Sequence, residues 1–116
     1  MLYVTNMSTE DTQDRVFKAL ADPTRRRILD LLRDRRRTTG EICARVPELD
    51  RCTVMLHLRV LEAADLVIAR KEGRYRWNYL NIDPILAIYR RWIQKYAEPS
   101  ASLLAKLKRD LEAVGA

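Results

Sequence analysis

The sequence predicts a mainly α fold with a small β-hairpin, about five to six helices plus a two-stranded hairpin, and three observations carry that prediction. Apolar residues recur at three- and four-residue spacing through most of the 116 residues, the period of amphipathic helices. Helix-start signals punctuate them at Asp22-Pro23, Thr38-Thr39-Gly40-Glu41, Asp50 and Asp83-Pro84, each placing a capping side chain ahead of an apolar run. One stretch, 67–80, instead alternates with a period of two around Gly73, as a hairpin does. An apolar content of 47% with 33% charged residues describes a globular chain rather than a disordered one. The length suits a single domain over 1–116. Within it the expected parts are N-terminal helices over 8–37, a helix pair over 38–65, the hairpin over 66–80 and C-terminal helices over 83–116.

Met1 to Met7 reads as an arm, poorly ordered or held on a partner subunit. The first helix starts near Ser8, with Glu10, Asp11 and Asp14 favourably placed at its N-terminal dipole and Val16, Phe17 and Leu20 on its apolar face. Asp22 caps the second helix and Pro23 fills its first position. Ile28, Leu31 and Leu32 then face inward, leaving Arg25, Arg26 and Arg33 for solvent or phosphate. Arg35-Arg36-Arg37 falls in the following loop, as a solubilising run or a phosphate contact. Thr38 and Glu41 have the spacing of a capping box. Ile42, Val46 and Leu49 make one apolar stripe behind it, and Pro47 ends that helix because its ring forbids continuation. Asp50 caps the next helix, which turns Val54, Leu58 and Leu61 inward. At ~100° per residue, Cys52, Thr53, Leu56, Arg59 and Ala63 point the other way. Two short helices joined by a tight turn form a helix-turn-helix, whose second helix enters a DNA major groove by its outward face.

The hairpin strands are expected at Val67 to Lys71 and Tyr75 to Leu80, with Gly73 supplying a positive φ between them. Tyr75, Trp77 and Tyr79 share one face, expected to pack on the helical body. Arg74, Arg76 and Asn78 share the other, suited to phosphates and the minor groove. From Asp83-Pro84 a helix runs to about Ala97 with Ile85, Ile88, Trp92 and Tyr96 at helical spacing. Pro99 predicts a break, and a last helix carries Leu103, Leu104, Leu107 and Leu111. This is more apolar surface than so small a domain buries by itself. A homodimer interface formed by Phe17, Trp92, Tyr96, Leu103, Leu107 and Leu111 accounts for it.

Net charge is +6, and its distribution matters more than its sum. Residues 15–37 carry +6 and the hairpin region 66–80 carries +3, whereas 38–65 carries −2. Positive charge thus flanks the reading helix, as expected if phosphates position a protein while bases are read in between. An enzyme is not expected. His57 is the only histidine, it sits within the second helix of the motif as a packing or DNA-backbone-contacting residue, and no acid/base pair, phosphate loop or activated nucleophile accompanies it. No segment approaches the ~20 apolar residues that span a bilayer, and the N-terminus has no leader-like apolar run, so a cytoplasmic protein is expected. There the two cysteines are thiols.

Three segments in order carry a resemblance to a known family. Val16-Phe17-Lys18-Ala19-Leu20-Ala21-Asp22-Pro23-Thr24-Arg25-Arg26-Arg27-Ile28-Leu29 resembles the opening signature of the ArsR-type (ArsR/SmtB-like) regulators. His57-Leu58-Arg59-Val60-Leu61-Glu62-Ala63-Ala64-Asp65-Leu66-Val67 resembles their recognition helix and its exit, and Arg70-Lys71-Glu72-Gly73-Arg74 followed by Tyr79-Leu80-Asn81 resembles their wing. The resemblance implies a winged helix-turn-helix, a homodimer joined by its terminal helices, and double-stranded DNA as partner. It departs from the family's metal sensors. Glu41-Ile42-Cys43 is similar to the start of their thiolate box, but Arg45 stands where a second cysteine would, and 83–116 contains no histidine for the other common site. No metal and no cofactor is expected. Cys43 reads as an inert buried thiol, and Cys52, on the outward face, as the redox candidate. The sequence therefore predicts a sequence-specific regulator, a homodimeric repressor of a palindromic operator. Its expected DNA contacts are Arg51, Cys52, Thr53, Leu56 and Arg59 on the helix and Arg70, Lys71, Arg74 and Arg76 on the wing. A regulator switched by oxidation of Cys52, or a winged-helix module meeting an acidic protein, are the other readings. Operator, target genes and any small-molecule effector are not written in the sequence.

Overall fold

The computed structural model describes residues 8–115, without the side chains of 98–101 and 115; the expected arm, Met1 to Met7, lies outside the described residues. Four helices come first: α1 Thr9–Leu20, α2 Pro23–Asp34, α3 Thr39–Arg45 and α4 Arg51–Ala63. Each starts on the residue whose side chain can cap it. Ser8 accepts from the Asp11 amide at 3.1 Å, Asp22 from Thr24 and Arg25 at 2.8 and 3.1 Å, and Asp50 from Thr53 at 2.7 Å. Thr38 and Glu41 close the capping box in both directions. These bonds satisfy amides that have no partner inside their own helix.

Three strands follow the pattern β1 Arg37–Thr38, β2 Val67–Glu72 and β3 Tyr75–Leu80, in the order β1-β3-β2 with both pairings antiparallel. The wing is therefore three-stranded, not two-stranded. Arg37, expected in a loop, and Thr38, expected as a helix cap, pair with Asn78 and Trp77 and tie the start of α3 to the hairpin. Glu72 stands opposite Tyr75, so Gly73 and Arg74 form a two-residue turn. Gly73 has φ +62, as a hairpin turn with its first position on the left-handed side requires.

The core joins the two inward stripes of the motif, Ile42 and Val46 with Val54, Leu58 and Leu61, to Val16, Ile28 and Leu32. Fully burying each such side chain contributes ~1.5–3 kcal/mol. The exit of α4 is built as tightly as its start. The amide of Leu66 donates to the Leu61 carbonyl and that of Asp65 to Glu62, both at 2.9 Å, with Asp65 at φ +60. This is a Schellman ending, and it drops Leu66 fully into the core.

Beyond the wing, α5 Asp83–Ile88, a π-helical turn Tyr89–Ile93 and α6 Gln94–Gly115 follow one another directly. The break expected at Pro99 is absent: the backbone stays helical from Gln94 to Gly115. A proline removes one helical hydrogen bond and crowds one turn, and the strong helix formers after it, such as Leu103, Leu104, Lys106 and Leu107, carry the helix on. The contacts gather into two compact units, divided between Ile85 and Leu86. Along the second unit Tyr89, Ile93, Tyr96, Leu103, Leu107, Leu111 and Val114 are exposed at successive spacings of three, four or seven. Among the described residues no helix is long and apolar enough to cross a membrane.

Candidate nucleic-acid interface

Asp50 fixes where α4 begins. The Thr53 amide, then the Thr53 hydroxyl, hold its carboxyl below the ordinary value of 3.8 against the opposing effect of burial, with a lesser contribution from the Cys52 amide. From that start the outward face follows as the period requires. Arg51, Cys52, Leu56 and Arg59 are exposed, Leu56 by 57%, while Thr53 and Met55 are half-buried. Arg51, Cys52, Met55, Leu56 and Arg59 line one open hollow. A second hollow shares Arg51 and Met55 with it and continues over Thr38, Gly40, Arg74 and Arg76. A third shares Arg74 and Arg76 and ends on Lys71 and Glu62. The outward face of α4 and the wing tip thus form one continuous surface.

The wing is inside out relative to the sequence expectation. Asn78 is fully buried, on the face shared with Val67, Ala69 and Leu80. Its Nδ2 donates to the Arg37 carbonyl and to the Thr39 Oγ1, both at 3.2 Å. The aromatic face looks outward: Tyr75 is 56% exposed, and Trp77 and Tyr79 are half-buried. Arg36 covers those rings, its guanidinium 4.0 Å from the Trp77 centroid and bonded to Tyr79 and Glu72. Two strands of alternating sequence define two faces but not which one is inward. Small Ala69 opposite Asn78 lets the helices approach that side, whereas stacked rings would hold them off. Arg70, expected with Lys71 on one DNA-facing surface, projects from the aromatic side, opposite Trp77. Arg76 gives its Nη2 to Glu62 of α4 at 2.5 Å, fastening wing to helix.

Most basic residues in 15–37 are occupied within the protein, which corrects the expectation that Arg25 and Arg26 are free. Arg25 donates to the Ala19 and Lys18 carbonyls at 2.7 and 3.0 Å, and Arg26 to Leu20 at 2.7 Å, all at the C-terminus of α1. Arg37 does the same for α2 through Leu31, Arg27 for α3 through Arg45, and Arg15 for α4 through Ala63. Each of the four helices thus ends on an arginine from another element, satisfying carbonyls that the helix leaves open and opposing the negative end of its dipole. Arg35 pairs with Glu41 at 3.0 Å. Arg25 also meets His57 Nδ1 at 3.3 Å, so the lone histidine is part of this packing. Burial opposes ionisation of the neighbouring Asp22. The Arg25 and Thr24 amides, helped by the charges of Arg25 and His57, outweigh it and hold the carboxyl below its usual range.

By contrast, Arg51, Arg59, Arg70, Lys71 and Arg74 are exposed and have no ion pair or hydrogen-bond partner among the described residues. Four of them lie on the continuous surface of α4 and the wing. The two thiols separate likewise, Cys52 exposed on that surface and Cys43 half-buried on α3. No cluster of three or more His, Cys, Asp or Glu side chains able to hold a metal occurs among the described residues. Sequence reasoning missed the partnering of the arginines, because each partner carbonyl is a backbone atom that no residue type announces.

A helix pair with this capped geometry, followed by an antiparallel wing, defines a winged helix-turn-helix. Comparisons with known proteins agree. Residues 20–69 match a family described as a helix-turn-helix domain. The chain is 38% identical over 88 residues to YuzN, an HTH-type transcriptional regulator of Bacillus subtilis, covering 71% of this chain and 96% of that protein. It is 36% identical over 66 residues to the transcriptional repressor SdpR of the same organism, covering 57% and 72%. Among solved structures, an ArsR-like transcriptional regulator from Rhodococcus sp. RHA1 superposes with a TM-score of 0.70 at 27% identity, over 88% of this chain and 95% of that one. The chain belongs to the ArsR family of winged helix-turn-helix transcriptional regulators.

Proposed function

We propose that this regulator is a homodimeric repressor that occupies a palindromic operator. Each protomer is one winged helix-turn-helix domain, with α4 in the major groove and the wing on the flanking backbone. The observation that carries the reading is the partition of positive charge. Most arginines elsewhere in the first unit, Arg33 and Arg45 excepted, are bound to protein carbonyls and carboxylates, while Arg51, Arg59 and Arg74 on α4 and the wing tip are left to water. An unpaired cationic surface continuous with a groove-sized helix is what a phosphate backbone requires. Arg51, Cys52, Thr53, Leu56 and Arg59 then face base edges and adjacent phosphates. Lys71 and Arg74 take the backbone beside the groove, Arg70 reaches it from the outer side, and Arg76 acts through Glu62 by holding the wing in place. The exposed apolar stripe along the second unit supports a second copy as its cover, and Phe17 of α1, 40% exposed, is the contact expected from the first unit. Repression follows the name of the relative SdpR.

Selection of bound duplexes from a random pool tests the reading. The expected product is a sequence with two-fold symmetry whose half-sites lie about one DNA turn, ~34 Å, apart. Recovery of no preferred sequence contradicts specific binding, and recovery of single, unrepeated half-sites contradicts the dimer.

A further inference from the structure

We infer that Leu56, with Cys52 beside it, reads the C5-methyl groups of thymine in the operator. The inference rests on the DNA-binding reading above and names the chemistry that its reading face recognises. Leu58 and Leu61 of the same helix are fully buried, but Leu56 is 57% exposed and has no share in the core. It lines an open hollow of about 400 Å³ together with Arg51, Cys52, Met55 and Arg59. Both guanidinium groups lack a partner among the described residues. An occupant matched to this lining is anionic against the two guanidinium groups and apolar against Leu56, Cys52 and Met55. Duplex DNA meets both conditions, because the thymine methyl is the one apolar group that the major groove presents.

The polarity of the face narrows the choice further. A leucine can neither donate to guanine or adenine edges nor accept from cytosine, so its discrimination comes from covering a methyl group and excluding water from it. A free cysteine behaves as a small apolar side chain with only a weak donor. Cys52 and Leu56 are one turn apart, ~6 Å along the helix axis, and base pairs are spaced ~3.4 Å apart. The apolar strip thus spans about two base-pair steps, enough for one or two neighbouring thymines in each half-site.

The test replaces thymine by uracil, one position at a time, in a duplex selected by the wild-type protein, which deletes the methyl and leaves base pairing intact. Wild-type binding should weaken about fourfold at one or two positions per half-site, the effect of one buried carbon. Leu56→Ala should bind the parent duplex more weakly and be indifferent to uracil at those positions, with an unchanged melting temperature because Leu56 is outside the core. Indifference of the wild-type protein to uracil throughout overturns the inference while leaving the DNA-binding reading intact. Equal uracil sensitivity in Leu56→Ala also overturns it, by assigning the methyl to another residue. Unchanged operator affinity in Leu56→Ala overturns it as well and gives the hollow to a different, apolar occupant. If no duplex is selected at all, the DNA-binding reading fails and this inference with it.

Discussion

The arginines of this chain divide by what their guanidinium groups hold, and the two groups respond to different measurements. Arg25, joined to two carbonyls of α1 and to His57, is part of the packing. Arg25→Ala leaves helix-end carbonyls without a donor and should cost about 2 kcal/mol of unfolding free energy in denaturant titration. Arg74, exposed at the wing turn, should change stability by less than about 0.5 kcal/mol when replaced by alanine. A stability loss in Arg74→Ala equal to that in Arg25→Ala would erase the distinction. Asp65 makes a different point at the same scale. It holds φ +60 at the end of α4, a conformation costing a side chain about 1 kcal/mol that glycine adopts freely. Asp65→Gly should therefore raise the melting temperature slightly, and a fall would mean that the Asp65 side chain does something beyond ending the helix.

Helix starts in this protein are acidic, and that gives its stability a pH dependence. Asp22 and Asp50 sit below their ordinary value of 3.8 and Glu41 below 4.5. For Glu41 the Thr38 amide is the main cause, followed by the hydrogen bond from Arg35. A carboxyl depressed in the folded state binds fewer protons there than in the unfolded chain. Its stabilisation is complete above the ordinary value and disappears as pH falls through the depressed one. Stability should thus be level near neutrality and decline below about pH 4. Asp50→Ser keeps a capping oxygen but removes one titrating group, so its acid decline should be shallower; an unchanged slope would remove Asp50 from the account. These same starts are legible in the sequence because a cap and its amide lie within three residues. The inward stripes of α3 and α4 are legible for the same local reason. What escapes is set by distant partners: β1, which exists only because β3 lies beside it, and the inverted wing, where Asn78 is buried by bonds to residues 37 and 39. The passage of α6 through Pro99 also escapes, since a propensity rule weighs one residue against a whole helix. The continuous surface proposed to read DNA is legible on α4 and only half legible on the wing.

At the scale of the whole molecule, two surfaces carry the proposals, the unpaired cations of α4 and the wing tip in the first unit and the exposed apolar stripe along the second. The proposed dimer should be the species seen by light scattering at micromolar concentration. Leu107→Glu, in the middle of the stripe, should yield a folded monomer with far weaker operator binding; a Leu107→Glu protein that stays dimeric would exclude this stripe as the interface. The proposal that α4 and the wing tip grip DNA through their unpaired cations is tested most directly by the salt dependence of binding to a selected duplex. The logarithm of the binding constant should fall linearly with the logarithm of salt concentration, with a slope of about −5 or steeper. Arg74→Ala should flatten that slope by about one unit for each phosphate that the shortened side chain no longer reaches, while the preferred sequence stays the same. A slope near zero for the wild-type protein, or an Arg74→Ala slope equal to it, would contradict the assignment of this surface to the DNA backbone.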